Sequence, residues 1–325
     1  LAKITDTKLQ GKYTFTDNRL SLLPSTLPVT ALNGSIRFTE SSMESTDLQA
    51  QWSGEPLSVR IATNAQQGTR IEASGAASVS QLRQYYDLPL FDQISGKTNW
   101  QARVTIVGGQ TELAVSSDLR GVASSLPEPF NKSAATTLPL SVTRQIASAG
   151  RRPAPGIDQI WRVSLGNALA GTLGLNSRGQ PVRGRVVLGS GQLPTLSEQP
   201  GMQLESVRPI NIDYWTRAFG LNAGRAGTAK PATGATATTW ALRAPAVTAF
   251  GRRFQDFRAT VQSAPDRTAL QMSSRELQGN VDWFPPGRGD GGERGLLQGH
   301  LSRLDLTAAA DAQPSGGSDL ESLPD

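Results

Sequence analysis

Side chains able to do chemistry are few and scattered. The 325 residues hold one histidine and no cysteine. His300 lies in Gly-His-Leu-Ser-Arg-Leu, a strand-like context. A metal centre or a general base would want partners beside it, so His300 reads as structural. Glu40, Glu44 and Asp47 lie close together in sequence. Paired carboxylates hydrolyse glycosidic bonds, but a charge group between two strand-like runs reads as a solvated loop. Gly189-Ser-Gly191 lacks the Lys-Ser/Thr of a phosphate loop and reads as a turn. Arg288-Gly-Asp290 spells an adhesion tripeptide in a Gly/Arg/Asp-rich stretch where chance supplies it, and Asn131-Lys-Ser133 matches a glycosylation acceptor. No catalytic set, metal site or cofactor site emerges, and the chain is expected not to be an enzyme.

What such residues would have to be mounted on is clearer. Hydrophobic residues make up 37% and aromatic residues 6%, with 33 Gly and 20 Pro, a balance that favours strands joined by turns. The fold class expected is all-β. The net charge of +5 comes from arginines spread along the chain rather than from a basic patch, which argues against a nucleic-acid partner. The triplet Leu-x-Gly recurs at residues 9–11, 32–34, 119–121, 277–279 and 297–299, with Ile94-Ser95-Gly96 as a variant. Alternating runs flank it: Ile36 and Phe38 against Arg37; Leu57, Val59 and Ile61 against Ser58 and Arg60; Trp100, Ala102, Val104 and Ile106 against Gln101, Arg103 and Thr105. Period two over five to eight residues predicts half-exposed antiparallel strands, and the irregular spacing of the triplet excludes a solenoid of fixed period.

Two stretches break the alternation. Residues 78–86 place Val79, Leu82 and Tyr86 at helical spacing behind Ser78, and residues 212–219 carry Tyr214, Trp215 and Phe219; each predicts a short capping helix. Residues 148–157, 221–239 and 284–295 lack apolar groups and are expected to be flexible loop insertions, with a disordered tail at 308–325. They divide one continuous β segment into blocks at 1–147, 158–220 and 240–307. No run of 18 apolar residues is present, and the opening Leu1-Ala-Lys reads as an internal piece of a longer chain. The alternating faces fit an open groove, and the same apolar residues could also fill a closed sandwich or barrel. A surface scaffold or adhesion protein with a closed core is therefore the alternative, whereas four tyrosines are too few for the aromatic girdles of an outer-membrane barrel.

Residues 117–132, SDLRGVASSLPEPFNK, followed by LPLSV at 138–142, resemble the YhdP-type proteins of the AsmA-like superfamily, relatives of TamB in Gram-negative envelopes. Further likenesses come in family order: LNGSIRFTESSM at 32–43, YYDLPLFDQISGKTNW at 85–100, INIDYW at 210–215, GRRFQDFRATV at 251–261 and SSRELQGNVDW at 273–283. The resemblance implies a long antiparallel sheet curled into a U-shaped, taco-like trough, as in chorein-type bridge proteins, along which phospholipid passes between inner and outer membrane. It implies a periplasmic location, with the membrane anchor and both membrane contacts in parts of the protein outside these residues. The apolar lining would then be Ile36, Phe38, Leu57, Val59, Ile61, Val104, Ile106, Leu113, Val115, Val163 and Leu165, touching acyl chains, and residues 117–132 would be a strand end followed by a proline-held rim loop.

Overall fold

A computed structural model describes residues 8–20, 29–64, 68–86, 88–146, 154–219, 238–287 and 295–305. The protein is all-β, one open sheet of 19 strands. The first half comprises β1 (Gln10–Leu20), β2 (Val29–Thr39), β3 (Met43–Trp52), β4 (Glu55–Asn64), β5 (Gly68–Ser78), β6 (Ile94–Val107), β7 (Gln110–Ser117), β8 (Val122–Ser124) and β9 (Leu140–Ile146). The second half comprises β10 (Gln159–Leu165), β11 (Leu169–Leu175), β12 (Pro181–Leu188), β13 (Gly201–Ser206), β14 (Ile210–Asn211), β15 (Thr238–Ala249), β16 (Arg252–Ser263), β17 (Thr268–Ser273), β18 (Leu277–Phe284) and β19 (Leu296–Leu304).

Neighbours in sequence are neighbours in the sheet almost throughout, a meander of unequal hairpins. Two short strands leave the line: β8 pairs with the start of β6 while β7 goes on to pair with β9, and β14 pairs with β15 beside the stretch where β13 does. Among the described residues β1 and β19 each have one partner, so the sheet ends on two edges and does not close.

One patch departs from the antiparallel pattern. β13 runs parallel to both β12 and β15, and β14 parallel to β15. A parallel neighbour needs a crossover of a dozen residues or more, and residues 189–200 supply it between β12 and β13. The crossover is fastened where the Thr172 hydroxyl donates to the Pro194 carbonyl at 2.7 Å. Pro245, inside β15, falls between the stretch paired with β13 and the stretch paired with β14, so its missing N–H breaks no ladder on that side.

The helices fall where the sequence predicts them. α1 (Val79–Tyr85) follows β5, and a single 3-10 turn (Pro89–Asp92) leads into β6. α2 (Ile212–Ala218) is capped by Asn211, whose side chain accepts from the Tyr214 N–H at 3.2 Å. β15 begins at Thr238, two residues inside the segment expected to be a loop. Most of that segment, the tail and Arg288-Gly-Asp290 lie outside the described residues.

The glycine word has a structural reason where two copies meet. Gly96 and Gly121 have φ of 106° and 92°, and a Cβ on Gly96 would stand 2.0 Å from the Gly121 carbonyl oxygen. One on Gly121 would stand 2.1 Å from the Lys97 carbonyl. Only glycine lets the β6 start and the β8 start approach in this conformation.

Candidate apolar groove

Strand pairing places directly opposed residues on the same face. From Leu48 on β3 the register runs through Val59, Ala73, Ala102, Val115, Val142 and Val163. It continues through Gly171, Val186, Leu204, Leu242, Ala259, Met272 and Gly279 to Leu301 on β19. No polar side chain interrupts the row. Fourteen strand-to-strand steps of about 4.8 Å give it a contour of about 67 Å. The opposite face carries Ser58, Ser74, Gln101 and Ser116, with ion pairs such as Arg103–Glu72 and Arg185–Glu205.

Two cavities lie on the apolar face. The first, about 720 Å³, draws its walls from groove-face residues of β3 to β10, among them Trp52, Trp100, Val115, Leu140 and Leu165. Strands that far apart in a flat sheet would not share one cavity; the sheet is concave there. Trp52 and Trp100 meet edge to face at 5.5 Å, and the Trp100 indole N–H donates to the Ala76 carbonyl at 3.1 Å. The second cavity, about 690 Å³, is walled by residues of β13 and β15–β19, including Leu204, Leu242, Ala259, Met272 and Leu301 of the same row. From Val115 to Leu204 the row takes five steps, about 24 Å, from one cavity to the other.

Residues 118–139 form the rim above the first cavity. Instead of merely shielding a sheet edge, as the prolines suggest, the segment folds inward over the strand ends and contributes Leu119, Val122, Leu126, Phe130 and Lys132 to the cavity wall. The Glu128–Pro129 peptide is cis. The segment is fastened to α2: Phe130 meets Trp215 edge to face at 5.7 Å, and Trp215 stacks on Phe219. Gln93 ties both, donating from Nε2 to the Ala218 carbonyl at 2.7 Å while its own carbonyl accepts from the Ser125 N–H at 2.9 Å.

Lys132 is buried, 8% exposed, and holds the segment from inside. Its ammonium donates to the carbonyls of Leu119 and Val122. Desolvation lowers its pKa from the ordinary 10.5, against an opposing pull from Asp118. In the sequence Lys132 stands between Asn131 and Ser133 and carries no sign of burial. Ile157, fully buried against Gly174, was equally hidden, standing at the end of a stretch expected to be a loop.

The expected lining residues fall in three places. Ile36 and Val59 pack against a cluster formed by Leu32, Leu48, Ala50, Leu57 and Ile61, in which Leu57 and Ile61 are 5% and 8% exposed. Phe38 lies two residues beyond Ile36, its ring over Gly11. Val104, Leu113 and Val163 are half-buried on the groove face, and Ile106, at the strand end, is 40% exposed. Val115 and Leu165 line the first cavity. Of the residues weighed for chemistry, Glu40 accepts from the Leu9 N–H at 3.3 Å, Asp47 accepts from the Ser35 N–H at 3.3 Å, and His300 is exposed opposite Asn280. Among the described residues no three His, Cys, Asp or Glu side chains gather as metal ligands, and no helix is long and apolar enough to cross a membrane.

A family model described as "YhdP protein" matches residues 1–325. A curated relative, "Intermembrane phospholipid transporter YhdP" of Escherichia coli (strain K12), is 25% identical over 285 residues, which cover 84% of this chain and 21% of that protein. The chain thus spans about a fifth of that relative's length. No solved structure matches it.

Proposed function

The chain belongs to the YhdP protein family, and we propose that it is one length of a periplasmic bridge along which phospholipid acyl chains travel between the inner and outer membranes. The observation that carries this is the apolar row that crosses fifteen strands and joins two cavities on one face. An acyl chain of about 16 methylenes costs on the order of 12 kcal/mol to leave in water, at about 0.8 kcal/mol per methylene. A continuous apolar face removes most of that cost at every step without any catalytic group. Val104, Ile106, Leu113, Val115, Val163 and Leu165 touch the moving chains; Ile36, Phe38, Leu57, Val59 and Ile61 form the floor where the groove begins. The bridge serves the lipid balance and permeability barrier of the outer membrane, and its anchor and membrane contacts belong to other parts of the protein.

The alternative, a non-enzymatic scaffold with a closed core, draws on one feature: the Leu32–Leu48–Leu57–Ile61 cluster is filled by its own side chains. Photo-crosslinkers at Val104 and Ile106, and at Arg103 and Thr105 on the other face, separate the two in cells. Lipid adducts at the first pair alone are expected. Equal labelling of both faces, or none at either, refutes the groove.

A further inference from the structure

From β5 to β13 the register gives the groove face a single charged residue, Arg144 on β9. Its row runs from Val104 and Leu113 through Arg144 to Trp161 and Leu173. The guanidinium lies over the Trp161 ring, 5.3 Å from its centroid, and Nε donates to the Gln159 side-chain oxygen at 3.1 Å. On the outer face Arg162 donates to the Gln145 side-chain oxygen at 2.8 Å, while Arg103 and Arg185 each meet a carboxylate of the adjoining strand. Arg144 meets none within 4.0 Å among the described residues.

Its place in the width of the groove is also distinctive. One row farther out lie Thr69, Thr111 and Gln159, with Ile106 and Ile146 exposed, so that row is the wet rim. In the other direction Val142 belongs to the apolar row, and Leu140 lines the first cavity, four residues or about 13 Å from Arg144 along the strand. The order across β9 and β10 is thus polar rim, cation, apolar row, apolar cavity. Stacking on indole and the bond to Gln159 fix the guanidinium plane and leave its terminal nitrogens free for a planar pair of oxygens, which suits a phosphodiester better than a point charge would.

We infer that Arg144, positioned by Trp161 and Gln159, binds the phosphodiester of a glycerophospholipid whose acyl chains lie on the apolar row. This rests on the groove reading above. It makes the groove selective for charged lipid and sets the lipid's orientation across it. The test uses protein extracted from cells in mild detergent and offered phosphatidylglycerol and diacylglycerol of identical acyl chains, with bound lipid counted by native mass spectrometry. Wild type takes up phosphatidylglycerol about tenfold over diacylglycerol, a charge-assisted hydrogen bond's share at a partly exposed site. In Arg144→Gln uptake of phosphatidylglycerol falls about tenfold, to the level of diacylglycerol, and Arg144→Lys restores part of it. An unchanged preference in Arg144→Gln overturns the inference and leaves the groove standing. Wild type binding neither lipid overturns both. Inorganic phosphate bound by lipid-free protein through Arg144, with no preference between the two lipids, assigns the site to the free anion and overturns the lipid assignment.

Discussion

Val142→Asp puts a carboxylate near the middle of the apolar row, between Val115 and Val163. Val142 is half-buried, and its face opens on the groove, so the new side chain keeps water while the groove is empty. The cost to folding is then lost valine packing and poorer strand propensity, about 2 kcal/mol together. At about 2–4 °C per kcal/mol, the melting temperature falls by several degrees and the fold survives. A passing acyl chain meets a different cost, because it must strip water from an ionised group, and even about 3 kcal/mol of that penalty slows each crossing by more than a hundredfold. Circular-dichroism melting and native mass spectrometry of the extracted protein read the two effects separately. The expected result is a folded variant carrying at least tenfold less lipid, beside a Thr143→Asp control on the opposite face that folds and loads like wild type. In a sealed core the same aspartate would be an unpaired buried charge, costing 3–5 kcal/mol and unfolding the sheet. A Val142→Asp protein that folds and retains its lipid refutes the open-row reasoning; one that unfolds while Thr143→Asp does not favours the closed core.

Lys132→Met probes the rim from inside. Because desolvation holds the folded pKa below 10.5, the unfolded chain binds the extra proton in the window beneath 10.5, and wild-type stability rises with pH through it. The melting temperature of wild type minus that of Lys132→Met should therefore grow as pH approaches 10.5, and a difference that shrinks contradicts desolvation as the leading cause. Gly121→Ala forces a side chain against the Lys97 carbonyl at positive φ, whereas Gly108→Ala, at φ 55° with nothing within 4 Å, adds conformational cost alone. Limited proteolysis should cut residues 118–139 of the first variant faster than wild type and leave the second unchanged; equal cutting would mean that the Gly96–Gly121 approach does not hold the rim.

The strands were legible because their alternation is local: one face must be apolar and the other wet, and Leu57, Val59 and Ile61 show this without any partner in view. Helices α1 and α2 were legible for the same reason, a change of period from two to about 3.6. What escaped is what depends on residues far apart in sequence. The parallel step at β13 follows from the length of a crossover, and residues 189–200 read as one more turn-rich stretch. Lys132 acquires its role only when the carbonyls of Leu119 and Val122 fold around it. Alternation alone puts Arg144 on the face of Val142, but only the pairing of β9 with β10 brings Trp161 and Gln159 to its guanidinium. A continuous apolar row is likewise invisible along the chain, since its members come from fifteen strands and include Gly171 and Gly279, which no hydrophobic pattern would select.

The same row explains why so large a sheet tolerates so little core. A single layer can bury its apolar face only against another layer, by curling, or against a guest. Among the described residues the fully buried hydrophobic side chains of any size are Ile157 and Val247, and most groove-face positions are half-buried. Curling alone therefore leaves the desolvation of this face incomplete. Filling it with larger side chains would complete the fold and close the path. Small residues at Ala73, Ala102, Gly171 and Gly279 keep the row low, and the proposed acyl chains would supply the missing layer. On the proposed function, stability and transport draw on the same surface: a guest that binds too well would complete the core and stay, so a row of weak, equivalent apolar steps would serve passage better than one deep pocket.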